Sequence, residues 1–202
     1  CCTKASVSKF YFNDEIICQI IREDSVEKLK SHLKKFHIPP SFVIKPFLFE
    51  NNLFLTGKKV SLIEYAAFYG SFQIFKFLNE NHIELTPQLW LFAIHGNNID
   101  LIQYLEKNNV QPPNGSFENC LKEAIKCHHI DVANYIIENL LQNNVDEKNV
   151  FEMCLQFFDF AICPDSLDDT FDMFYNFCKY DYFEIVNSLL EIPEFDLKAN
   201  GI

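Results

Sequence analysis

Glycine is sparse in this 202-residue chain, with five in all, at positions 57, 70, 96, 115 and 201, never closer than 13 residues apart. That spacing excludes a dinucleotide-binding fingerprint and a P-loop, both of which need clustered glycines so that backbone amides can approach a phosphate. Long apolar runs are missing as well. The most apolar stretch, Cys154 to Cys163, is broken by Gln156 and Asp159 and falls short of the roughly 20 residues that span a bilayer. Positive charge is in deficit, with 17 Lys and Arg against 28 Asp and Glu and a formal net charge of −11. Neither a nucleic-acid backbone nor an anionic lipid surface attracts such a balance, so no nucleic acid and no membrane is expected as a partner. The eight cysteines, at 1, 2, 18, 120, 127, 154, 163 and 178, include no Cys-x-x-Cys pair. In a chain with 49% apolar residues, enough to build a core, they read as reduced, buried thiols of a cytoplasmic or nuclear protein. The start, Cys1-Cys2-Thr3-Lys4, has neither an initiator Met nor an apolar signal segment, and reads as the edge of a fragment.

What the chain has in place of these signals is repetition. Tyr65 to Leu78 overlies Phe92 to Leu105 at a shift of 27 residues, with Ala66 on Ala93, Gly70 on Asn97 and Leu78 on Leu105. Glu123 to Ile136 follows 31 residues later in the same order, and Ile20 to Leu33 and Phe177 to Leu189 are further copies. Each copy reads as a small apolar segment, a turn, then an amphipathic stretch, the pattern of two short helices joined by a reversal. Asn takes the place of glycine where a left-handed residue is wanted, in the pairs Asn51-Asn52, Asn97-Asn98, Asn108-Asn109 and Asn143-Asn144. Helix starts are marked too: Ser61 with Glu64 forms a capping box, and Thr86 before Pro87 supplies an N-cap and a first-turn proline.

A small apolar pair, two variable residues, a turn residue and then acidic-Ile-Val-x-x-Leu-Leu, clearest at Cys178 to Leu190, resembles the second half of an ankyrin repeat. From about Asn13 onward the chain is similar to the divergent, Phe- and Asn-rich ankyrin-repeat proteins of some single-celled eukaryotes. It departs from that family in lacking the Thr-Pro-Leu-His opening; Ser61-Leu62-Ile63-Glu64 and Thr86-Pro87-Gln88-Leu89 come nearest. Spacings of 46, 27, 31 and 53 between residues 20, 66, 93, 124 and 177 also replace the family's usual period of about 33. The resemblance implies an all-α, ankyrin-like solenoid of about five stacked helix-turn-helix repeats in one array over 1–202. Its repeats centre near 14–36, 61–83, 87–110, 117–142 and 166–192, and a further one opens near 195. Two intervals break the rhythm. Residues 37–59, with Pro39-Pro40, Pro46, Phe42-Val43-Ile44 and Phe47-Leu48-Phe49, predict an extended or hairpin-like insert. Residues 147–161 predict an added helix closed by Cys163-Pro164, or else a decayed repeat.

Binding is the function that the resemblance implies. In ankyrin arrays the two residues after the small apolar pair face a concave groove that holds a protein partner. Here those positions are Arg22, Glu23, Phe68, Tyr69, His95 (with Gly96), Lys126, Cys127, Lys179 and Tyr180. Phe68 and Tyr69 read as anchor residues, and Phe68 reads equally as a cover for the insert at 42–55. A structural component of a cytoskeletal assembly is the alternative, and an enzyme built on Asp165 to Asp172 or on Cys127 comes last. Asp168-Asp169-Thr170-Phe171-Asp172 resembles an aspartate-rich Mg²⁺-diphosphate motif, but nothing basic lies nearby in sequence, and an acidic first helical turn accounts for it. Cys120, Cys127, His128 and His129 fit no zinc spacing, and His128 aligns with the turn slot held by Gly70 and Asn97. His82-Ile83-Glu84 lacks the Pro-Cys-x-x-Cys half of a deaminase signature. No catalytic residue, cofactor or metal is expected.

Overall fold

Short helices joined by single left-handed residues carry the chain in a computed structural model that describes residues 14–45, 52–164 and 170–192. Those residues are mostly helical, with one two-stranded hairpin. They fall into two compact units, Cys1–Ser116 and Phe117–Ile202. The five predicted copies show the same local device. Asp24, Gly70, Asn97, His128 and Asp181 each follow a helix and take positive φ, at 48°, 65°, 46°, 57° and 60°. A reversal this tight needs one residue in the left-handed region, which Gly, Asn and Asp enter at the least cost. The residue that follows donates its N–H five residues back: Ser71 to Ala66 (2.8 Å), His129 to Ala124 (3.0 Å) and Tyr182 to Phe177 (2.9 Å). Otherwise unpaired carbonyls at the helix end are satisfied in this way.

The first unit holds α1 (14–22), α2 (Val26–Phe36), β1 (Val43–Ile44), β2 (Val60–Ser61), α3 (Leu62–Phe68), α4 (Phe72–Glu80), α5 (Leu89–His95) and α6 (Ile99–Lys107). Strands β1 and β2 pair antiparallel, Val43 opposite Ser61 and Ile44 opposite Val60, so the insert is a hairpin in part; Pro46 to Asn51 lie outside the described residues. Ser61 makes the capping box: its hydroxyl accepts from the Glu64 N–H, and the Glu64 carboxylate accepts from the Ser61 N–H (2.8 Å). The predicted start at Thr86-Pro87 is shifted, because the Leu89 N–H donates to the Thr86 carbonyl in a separate turn and α5 begins only at Leu89.

Helix α3 packs on α4 and α5, α5 on α6, and α4 on α2. The small residues of the repeat, Ala66, Ala67 and Ala93, are fully buried, as are the aligned Leu78 and Leu105. Polar bonds tie turn to turn across these hairpins. Ser71 Oγ donates to the Ile21 carbonyl (2.7 Å) and Asn98 Nδ2 to the Gly70 carbonyl (3.1 Å). The Asp24 carboxylate accepts from the N–H groups of Gln73 (3.1 Å) and Ile74 (2.8 Å), which caps the start of α4.

In the second unit, α7 (Glu118–Lys126) packs on α8 (Ile130–Tyr135), which runs into a π turn at Ile136–Leu140, and on α9 (Glu147–Phe157). Then α10 (Thr170–Lys179) pairs with α11 (Phe183–Leu190) and touches α9. Phe151, Leu155 and Phe177 form a core, with Val186 and the half-buried Leu189 against it. The added helix starts where predicted but ends at Phe157, short of 161. Phe158 turns left-handed, the Asp159 N–H donates back to Cys154, and the Asp159 carboxylate accepts from the Ala161 N–H (3.2 Å), so the backbone finds partners outside the helix. No helix among the described residues is long and apolar enough to cross a membrane.

Candidate functional site

The ends of α1, α3 and α5 bring a run of aromatic rings together in the first unit. Arg22, at the end of α1, donates from Nη2 to the hydroxyls of Tyr65 (2.6 Å) and Tyr69 (3.1 Å). Its guanidinium lies 4.7 Å from the Tyr69 ring centre, a cation–π distance. Tyr69 meets Phe68 edge-on at 5.0 Å, and Phe68 stacks toward His95 at 5.4 Å. Phe54, from the insert, lies against Phe68 (5.8 Å), Phe92 (5.0 Å) and His95 (4.0 Å). Lys58 closes the series with its ammonium 3.7 Å from the Phe54 ring centre. The result is a strip with a cation at each end and aromatic rings between.

Four of the predicted groove residues, Arg22, Phe68, Tyr69 and His95, come together here. Phe68 itself is only 8% exposed and carries Phe54 on its face, so of its two expected roles the cover for the insert is the one its contacts show. Tyr65 is buried, and burial holds its hydroxyl proton well above the ordinary tyrosine range. Glu23 points away and pairs with Lys28 (2.6 Å). Phe54, Lys58 and Phe92 were missed in the sequence. No period-two signal was available, because Leu53-Phe54-Leu55 lie in a turn, where Leu53 is 91% exposed and Leu55 is 3% exposed.

The remaining predicted positions belong to the second unit. Lys126 is exposed and pairs with Glu123 (3.1 Å). Burial, then the Glu123 carboxylate, push the neighbouring Cys127 thiol up to about 11. Lys179 and Tyr180 both turn onto Glu152 of α9, at 2.6 and 2.8 Å. These two hydrogen bonds hold the Glu152 carboxyl below its usual value.

Chemistry at these residues is limited. A thiol that keeps its proton to about pH 11 is not an activated nucleophile, and Cys120, held up to about 12 chiefly by burial, is less so. Cys120, Cys127, His128 and His129 do not converge as a ligand set among the described residues. His128 occupies the left-handed turn with its ring 3.4 Å from the buried Asp159 carboxylate, and His129 stands at the N-cap position of α8 without a side-chain cap bond. Of the acidic run, Asp165 to Asp169 lie outside the described residues. Asp172 pairs with Lys148, so a cation does reach this stretch from α9, which its sequence neighbourhood did not reveal. Lys148 comes from a different helix and meets Asp172 only through folding. Compared with known proteins, the chain matches no family model, no curated protein and no solved structure.

Proposed function

We propose that this chain is an ankyrin-like array of stacked helical hairpins that acts as a cytoplasmic, non-catalytic adaptor and holds a protein partner on the strip from Arg22 to Lys58. One observation carries the reading: the left-handed turn recurs at the same place in five helix pairs, and in the first unit the residues just before it, Arg22, Phe68, Tyr69 and His95, form one surface. Arg and Tyr are the side chains that most often dominate protein interfaces, because they combine large contact area with directional bonds.

The test begins with a photo-crosslinker at Tyr69, which identifies the partner in the native cell. Affinity of that partner is then measured for the double variant Arg22→Ala, Tyr69→Ala. A loss of about 2 kcal/mol, roughly 30-fold in Kd, is expected. Unchanged affinity in a folded double variant refutes the strip as the binding surface.

A second reading, a fixed component of a larger cytoskeletal assembly, has an observation of its own. Helix α11 has no buried residue, and Phe183 (68% exposed), Leu190 (49%) and Ile192 (45%) face outward. Exposed apolar faces of this kind mark association surfaces. Protection of Phe183 from labelling in cell extracts, with the strip still accessible, favours assembly over the adaptor role.

A further inference from the structure

The loop that ends α9 brings two thiols together. Cys154 is fully buried near the end of α9. Beyond Phe157 the chain reverses: Phe158 is left-handed, the Asp159 N–H donates to the Cys154 carbonyl (3.0 Å), and the Cys163 N–H donates to the Phe160 carbonyl (3.3 Å). This return lays Cys163 over the helix end with its thiol in hydrogen-bond contact with that of Cys154. Cys163 is half-buried and rests against the Phe151, Leu155 and Phe177 core. Tyr182 pins the same corner, donating its hydroxyl to the Leu155 carbonyl (2.9 Å). A reagent therefore meets Cys163 first, with Cys154 directly behind it. The other described thiols have different surroundings: Cys18 bonds the Tyr65 hydroxyl, Cys120 and Cys127 lie near Glu123, and Cys178 is exposed on α10.

We propose that Cys154 and Cys163 form a modification site, a dithiol that oxidants of the peroxide class convert into an intramolecular disulfide. The Cys163 sulfur attacks one peroxide oxygen and the O–O bond breaks, leaving a sulfenic acid on Cys163; the thiol proton departs with the released hydroxide as water. The Cys154 sulfur then attacks the Cys163 sulfur. An S–S bond forms, the S–O bond breaks, and the Cys154 proton leaves with that hydroxyl as a second water. In balance, two thiols lose two hydrogens and two electrons, and one peroxide becomes two waters. Burial pushes the Cys154 thiol up to about 12, so it is slow to meet peroxide itself, and its contact with Cys163, not its acidity, makes it the resolving thiol.

The test treats the whole chain with a small molar excess of hydrogen peroxide, denatures it, alkylates free thiols with iodoacetamide, and maps a non-reduced digest by mass spectrometry. A peptide pair joining Cys154 to Cys163, lost on reduction, is expected, while Cys178 is alkylated. In Cys154→Ser, Cys163 stops at the sulfenic acid, which dimedone traps. In Cys163→Ser, the same peroxide dose leaves Cys154 fully alkylatable. The proposal is overturned if the wild-type chain yields both cysteines singly alkylated at the untreated level, or a sulfinic acid at Cys163 without the cross-link. If Cys154→Ser does not fold, the wild-type cross-link map decides alone.

Discussion

Replacing Gly96 with alanine tests the stacking of the second and third hairpins directly. Gly96 caps α5 at φ −70°, a conformation open to any residue, so the substitution carries no backbone strain of its own. The added Cβ would meet the Ala67 carbonyl oxygen at 2.4 Å, the Gly70 nitrogen at 3.1 Å and the Phe68 carbonyl oxygen at 3.2 Å. All three are backbone atoms at the end of α3, so none can swing aside as a side chain does. Overpacking costs about 1 to 3 kcal/mol, and rigid neighbours put this case near 3 kcal/mol. For a unit of about 100 residues each kcal/mol lowers Tm by roughly 4 to 8 °C, so a fall of more than about 10 °C is expected. Trp90 is the assay. It is the only tryptophan of the chain, fully buried in α5, with its indole N–H donating to the Val110 carbonyl (3.0 Å), so its emission reports the first unit alone. Gly57→Ala is the control: no atom lies within 4 Å of the new Cβ, and only the φ of +76° penalises it, by about 1 kcal/mol. If Gly96→Ala melts with the wild type, or above Gly57→Ala, the close approach of α5 to α3 is wrong.

Two further substitutions read other contacts. His32 is 9% exposed with Nε2 unpartnered, and burial, then Lys35, lower its pKa from 6.5. The folded state therefore takes up its proton less readily than the unfolded chain, so stability holds above about pH 6.5 and declines as pH falls through it. His32→Leu, which removes the orphaned nitrogen, is expected to match or exceed wild-type stability by about 1 kcal/mol and to flatten this decline; urea midpoints between pH 5 and 7.5 check both. Asp24→Gly keeps the left-handed turn free of strain but deletes both bonds to the start of α4. A loss of about 1.5 kcal/mol is expected by the same Trp90 readout, and a loss under about 0.5 kcal/mol means that the carboxylate does not hold α4.

Much of the fold was legible in the residues because its signals are local. Gly70, Asn97 and His128 align in the repeat, and all three adopt positive φ, since only certain residues enter that region cheaply and the reversal demands it. The capping box at Ser61 and Glu64 spans one helical turn, and the burial of Ala66, Ala93 and Ala124 follows from small residues recurring where helices approach. Where local signals competed, the reading slipped. Cys163-Pro164 marked the end of the added helix, yet the Asp159 carboxylate drew the backbone out of it four residues sooner.

The candidate surface was legible only as positions before a turn. Arg22, Phe68, Tyr69 and His95 follow from repeat register, but register does not say that Phe54 and Lys58 fold back over them, or that Arg22 bonds two tyrosine hydroxyls more than forty residues away. Nor does it pair Glu152 with Lys179 and Tyr180, or set Cys163 on Cys154. By itself the order of residues determined where the hairpins reverse and which small side chains they bury, because those choices are settled within one or two turns of backbone. Which side chains meet across the hairpins was decided only by tertiary packing, because that depends on how closely distant backbones approach, and no short window of sequence records it.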